Sequence, residues 1–141
     1  MKKILIVNSS YYKDISDNLV FSAKKNLKKA KFKISVLNTQ GVFEIPIAIR
    51  KNIKKFDGFI ALGCVIKGQT PHFDLICSST FNAIQNLVIT YGKPIGNGII
   101  TALSKPQAFK RSKIYSSTKT NKGLEAATAV ISIFKNGIKK I

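Results

Sequence analysis

DGFIALGCVIKGQTPHFDLIC, residues 57–77, is the stretch whose reading decides the fold. Phe59–Ile66, interrupted by Gly63, is an apolar run with the length and residue types of a fully buried parallel strand. Lys67-Gly68-Gln69-Thr70-Pro71 then turns the chain toward His72, the single histidine of the protein. Beyond it, Phe73, Ile76, Thr80, Ala83, Ile84, Leu87, Val88 and Tyr91 recur every three to four residues, which predicts a helix. The unit is strand, Gly-Thr loop, helix. A loop between the carboxyl end of a parallel strand and a helix N-terminus is where open α/β sheets bind ligands. Free backbone N–H groups and the positive end of the helix dipole suit it to a phosphate.

Outward from this unit, the same alternation repeats. Lys2–Asn8 is predicted as a strand, placed at an edge of the sheet, with Ser9–Lys13 as the loop after it. A helix starts at Asp14 or Ser16, with Ile15, Leu19, Ala23, Leu27 and Ala30 on its apolar side. Phe32–Asn38 reads as the second strand and residues 39–44 as a loop. Pro46 sits near the start of the next helix, whose buried side is Ile49 and Ile53. Gly92-Lys93-Pro94 reads as a turn, Ile95–Ala102 as the fourth strand and Lys105 through Arg111 as a short helix. The last helix runs from Asn121 to about Asn136, with Gly137 in the position of a C-terminal cap. Alternating strands and helices call for one α/β domain, residues 1–141, with a parallel sheet covered on both faces by right-handed crossovers. The loops near Tyr11, Phe43, His72 and Asn97 are expected to meet at one sheet edge.

The 141 residues suffice for a single core, and 45% hydrophobic with 21% charged residues describes a globular chain. No apolar run approaches the roughly 20 residues of a membrane span. The opening MKKILIVNSS is too short in apolar residues for a signal-peptide core. Cys64 and Cys77 lack metal-like spacing and read as reduced core thiols, which places the protein in the cytoplasm. Twenty-four basic against six acidic residues give a net charge of +18. That balance invites a nucleic-acid reading, but the lysines are scattered along helix faces and no RNA- or DNA-binding motif accompanies them. The expectation is a lysine-decorated surface with no specific nucleic-acid partner.

The chemical inventory at the loops is short. Six carboxylates without a pair at any one loop, and a single histidine, give poor support to a metal site. No nucleophile elbow, dinucleotide loop or Walker loop is present. His72 remains as the group suited to proton transfer near neutral pH. Glu44 reads either as a helix-start charge or as an acceptor for ligand hydroxyls. Tyr11 and Phe43 offer flat faces for a planar ring or serve in packing.

Phe43-Glu44-Ile45-Pro46, the run from Gly63 to Asp74 and Asn121-Lys122-Gly123, in this order and spacing, resemble the 6,7-dimethyl-8-ribityllumazine synthase family, and the resemblance extends from Ile4 to Phe134. It implies a three-layer α/β/α fold with a four-stranded, flavodoxin-like parallel sheet of order 2-1-3-4. It implies condensation of 5-amino-6-(D-ribitylamino)uracil with 3,4-dihydroxy-2-butanone 4-phosphate, without metal or organic cofactor.

By the same resemblance, Tyr11 stacks on the pyrimidine. Val42, Phe43 and Glu44 border the substrate, with Glu44 accepting from ribityl hydroxyls. Val65 and Ile66 give backbone contacts to the ring. Gly68, Gln69 and Thr70 form the phosphate loop, and His72 is the general acid–base. Asn97 stands where some members have an aromatic wall residue. Arg111 reaches the phosphate from the adjacent subunit and Lys122 lines that site. Ser10-Tyr11-Tyr12 replaces a more usual Arg-Phe-Asn pattern, and Tyr12 receives no role. The implied assembly is a homopentamer or a decamer of two stacked rings. A sixty-subunit shell is not expected, because the first strand follows Met1 directly and Ser112–Thr120 is long. The rival readings are a non-catalytic flavin-binding relative and a basic nucleic-acid-binding α/β protein.

Overall fold

The computed structural model describes residues 1–114 and 121–141; the expectation resting on the length of Ser112–Thr120 falls mostly outside them. The elements in order are β1 (Lys3–Ser9), α1 (Lys13–Lys29), β2 (Lys33–Thr39), a 3₁₀ turn (Val42–Glu44), α2 (Ile45–Lys51), β3 (Gly58–Ile66), α3 (His72–Tyr91), β4 (Ile95–Ala102), α4 (Lys105–Ser112) and α5 (Lys122–Lys135). The sheet order is β2-β1-β3-β4 and every pairing is parallel. This is the expected three-layer α/β/α arrangement.

Its cause is visible in the strands, where successive side chains point to opposite faces. Ile4, Ile6, Ile60, Leu62 and Ile100 face Leu19 and Leu27 of α1 and Ala127 and Val130 of α5. Leu5, Val7, Phe59, Ala61 and Ile99 face Ile45 and Ile49 of α2 and Ile84 of α3. A strand apolar at both parities must be covered twice. The placement of the first strand at a sheet edge is corrected on this ground: β1 lies between β2 and β3, and Ile4 to Val7 are all buried.

Boundaries shift where the chain closes a helix before opening a strand. Lys31 has φ 66°, and its amide donates to the Lys28 carbonyl while that of Phe32 donates to the Leu27 carbonyl. This is a Schellman closure, so Phe32 belongs to the C-terminal motif of α1 and β2 starts one residue later than predicted. Gly92, φ 63°, closes α3 in the same left-handed conformation. Gly137 does not: Asn136 after α5 is extended, and Gly137 is absent from the left-handed positions.

Along α3 the predicted apolar face packs on the α2 side of the sheet. Thr80 and Ile84 are buried, whereas Leu75 and Ile89 stand exposed. The Thr80 hydroxyl has no hydrogen-bond partner despite being 1% exposed. A buried unpaired hydroxyl costs about 1–3 kcal/mol. Thr80→Val, nearly isosteric, is therefore expected to raise the denaturant midpoint by the equivalent of about 1 kcal/mol; a lower midpoint would contradict the unpaired state.

Helix α5 lies close on both its neighbours. A Cβ on Gly123 would stand 2.9 Å from the Leu19 Cα of α1, and one on Gly96 of β4 would strike the Ala126 carbonyl. Asn121 begins α5 with a capping bond: its Oδ1 accepts from the Leu124 amide at 2.9 Å. Its Nδ2, buried, donates to Ser22 Oγ of α1 at 2.8 Å and to the Ser112 carbonyl of α4 at 3.1 Å. One amide thus joins three helices.

Candidate active site

At the carboxyl edge of β1 and β3 a cavity of about 480 Å³ opens, lined by residues from four segments. The end of β1 and the loop after it supply Ser9, Tyr11 and Tyr12. The 3₁₀ turn and the residue before it supply Gly41 to Glu44, β3 supplies Cys64 to Ile66, and α3 supplies His72 and Ile76. Closure of its floor depends on Gly63, where a Cβ would come within 2.9 Å of both Ser9 Cβ and Val42 Cγ2. Only a residue without a side chain lets β1 and the turn approach β3 this closely.

The turn is tied from several sides. Thr39 Oγ1 donates to the Gly41 carbonyl at 2.9 Å, and the Ser10 amide donates to the Thr39 carbonyl at 3.2 Å. Glu44 Oε1 accepts from the Gly41 amide at 3.0 Å. Both readings of Glu44 therefore have support: one oxygen braces the turn, and the exposed carboxylate borders the cavity. Tyr11, 74% exposed, and Phe43, 58% exposed, present uncovered rings beside it.

His72 is the first residue of α3, exposed, with its amide toward Thr70 Oγ1 at 3.4 Å. Gly68, Gln69 and Thr70 are exposed and lead directly into that helix N-terminus. Unpaired first-turn amides and the dipole give this end an affinity for anions. Deeper in the cavity, burial first and the Asp14 carboxylate second push the Cys64 thiol up to about 11. Burial, then Tyr11 and Cys64, push the Tyr12 phenol upward too.

Seven of the predicted residues thus meet in one cavity: Tyr11, Val42, Phe43, Glu44, Val65, Ile66 and His72. Gly68, Gln69, Thr70, Asn97, Arg111 and Lys122 are not among its lining residues. The loop expected at Asn97 is corrected: Asn97 lies within β4, opposite Ala61, toward the amino end of the strand. Its flanking glycines admit α5, since a Cβ on Gly98 would press on Leu62 Cδ2 and the Lys122 carbonyl. They do not make a turn. Asn97 is exposed, with Oδ1 accepting from the Ile99 amide at 3.1 Å. Arg111 is exposed on the last turn of α4, its Nη1 donating to the Gln107 carbonyl at 3.3 Å. Lys122 opens α5, half-buried.

Sequence reasoning missed Ser9, Tyr12, Gly41, Cys64 and Ile76 as cavity residues. Ile76 carried a signal, standing one helical turn after His72. Among the described residues, no three His, Cys, Asp or Glu side chains gather as a metal site, and no helix is long and apolar enough to cross a membrane.

Comparison with known proteins gives one consistent result. The family model for 6,7-dimethyl-8-ribityllumazine synthase matches residues 1–136. A 6,7-dimethyl-8-ribityllumazine synthase of Bartonella henselae is 38% identical over 136 residues, covering 94% of this chain and 88% of its own length. The protein of the same name from Bartonella tribocorum is 36% identical over 135 residues, with 94% and 89% covered. The one from Azorhizobium caulinodans is 30% identical over 144 residues, with 97% and 89% covered. A match over nearly the whole chain, on a fold whose strand-end cavity gathers several of the residues that carry the resemblance, shows that this chain belongs to the 6,7-dimethyl-8-ribityllumazine synthase family.

Proposed function

We propose that the protein condenses 5-amino-6-(D-ribitylamino)uracil with 3,4-dihydroxy-2-butanone 4-phosphate to 6,7-dimethyl-8-ribityllumazine, releasing phosphate and water, in the cytoplasm. The observation that carries this reading is the meeting of two uncovered aromatic rings, a carboxylate and the sole histidine in one cavity beside a helix N-terminus. Tyr11 stacks on the pyrimidine, and the backbone of Val65 and Ile66 pairs with its edge. Val42 and Phe43 flank the ribityl chain, whose hydroxyls donate to Glu44. Gly68, Gln69 and Thr70 hold the phosphate at the start of α3. His72 moves protons as the amine adds to the ketone, as phosphate leaves and as the ring closes. Mixing the purified protein with both substrates tests this through lumazine absorbance and phosphate release. A rate no higher than that of the uncatalysed condensation would remove the enzyme reading.

Arg111, Lys122 and Asn97 stand outside the cavity of their own protomer, which supports a site completed by a neighbouring subunit in a homopentamer or decamer. Light scattering at moderate salt is expected to give a mass of five or ten chains; a monomer would leave the three residues without a site. Arg111→Lys keeps the charge but loses the planar fork that fits a phosphate. A raised KM for the butanone phosphate, with little change for the pyrimidine, is the expected result. Equal weakening of both would point to an assembly defect.

A further inference from the structure

We infer that Tyr12 is a positioning residue that fixes the plane of the Tyr11 ring for stacking on the heteroaromatic substrate; this rests on the proposed function. Tyr11 is 74% exposed, so solvent leaves its ring free to sweep between rotamers unless something braces it. Tyr12 supplies the brace. The two rings meet edge to face, with centroids 4.9 Å apart and planes at 80°, a geometry aromatic pairs favour. Tyr12 is itself anchored, half-buried against the core cluster on the α1 side of the sheet. Its carbonyl accepts from the Ser16 amide at 2.9 Å, which holds its backbone.

The local sequence gives something up for this contact. Tyr12 is the N-cap residue of α1, and its side chain makes no capping bond. Serine, threonine, asparagine or aspartate would satisfy an orphan amide there. A locally disfavoured residue at a cavity rim marks a position held for function. Tyr12 lines the same cavity as Tyr11, so the brace and the braced ring belong to one site.

The test uses the assembled full-length protein and the variants Tyr12→Asn and Tyr12→Phe. Asparagine is a strong N-cap, so Tyr12→Asn removes the ring while favouring the helix. With butanone phosphate saturating, Tyr12→Asn is expected to raise KM for the pyrimidine roughly 2–12-fold, the equilibrium equivalent of one edge-to-face pair. Its kcat should stay within about twofold, and its thermal midpoint is expected to fall somewhat, because the cap gained by asparagine only partly offsets the lost packing of the half-buried Tyr12 ring on the core. Light scattering confirms that the assembly is retained. Tyr12→Phe, which keeps the ring, is expected to restore the wild-type KM. In parallel, product lumazine is titrated into each protein and binding read by fluorescence, which measures stacking without turnover. A wild type that binds the lumazine but makes none defeats the enzyme reading, while the ratio of Kd values still decides the role of Tyr12. An unchanged KM and Kd in Tyr12→Asn, equal loss in Tyr12→Phe, or a parallel rise for both substrates would overturn the inference. A wild type that neither turns over nor binds would overturn both.

Discussion

His72→Ala is expected to lower kcat by roughly 10²–10⁴-fold, the usual share of general acid–base catalysis, with much smaller changes in substrate binding. The size of the effect follows from the absence of a substitute in the cavity. His72 is the sole histidine of the chain. Tyr12 and Cys64, two other protic groups lining the cavity, both have raised pKa values and stay protonated near neutrality. Glu44 already accepts the Gly41 amide, so taking its carboxylate as a base would loosen the turn. Placement at the first residue of α3 gives the imidazole a fixed backbone and an exposed ring, suited to serving successive steps of one condensation. Single-turnover kinetics across neutral pH check the assignment. Full turnover in the variant would sink it, and the uncatalysed condensation sets the floor below which no loss is measurable.

Asn121→Ala is expected to destabilise the protein by roughly 2–4 kcal/mol: about 1 for the lost helix cap and 1–3 for buried groups left unpaired. The cap bond to Leu124 and the two donations to Ser22 and Ser112 come from one side chain, so a single truncation acts on α1, α4 and α5 together. Asn121→Ser separates the contributions. It keeps an N-cap acceptor for the Leu124 amide but loses the donations to Ser22 and Ser112, and its expected loss is intermediate. Denaturant midpoints with unchanged slope measure both. A loss for alanine within about 0.5 kcal/mol, typical of surface positions, would mean that the junction carries no load.

The strands and most helices were legible because their signal is local: apolar parity for β1, β3 and β4, and three-to-four spacing for α1 and α3. The strand-end cavity was legible in part through the 63–74 run, from which Val65, Ile66 and His72 line it as expected. What escaped depends on partners far along the chain. Asn121 looked like a helix start, and nothing near it in sequence announces Ser22. Gly96 and Gly98 were read inside the fourth strand, but their reason there, the close approach of α5, lies with residues far along the chain. Assigning β1 to an edge failed for a related reason: an apolar stretch of four shows that a strand is buried, while its neighbours are set by crossovers. Tyr12 received no role from the resemblance because it departs from the family pattern, and its contact with Tyr11 is a matter of ring geometry that spacing does not carry.

On the proposed function the cavity receives a phosphorylated hydroxyketone and must also survive it, and the raised pKa of Cys64 bears on that. An ordinary cysteine thiol is a few per cent thiolate at neutral pH and adds readily to electrophilic carbon. At a pKa of about 11, the thiolate fraction at pH 7 falls to about 10⁻⁴. Burial at the end of β3 thus leaves a protonated, weakly nucleophilic thiol in the wall of the cavity.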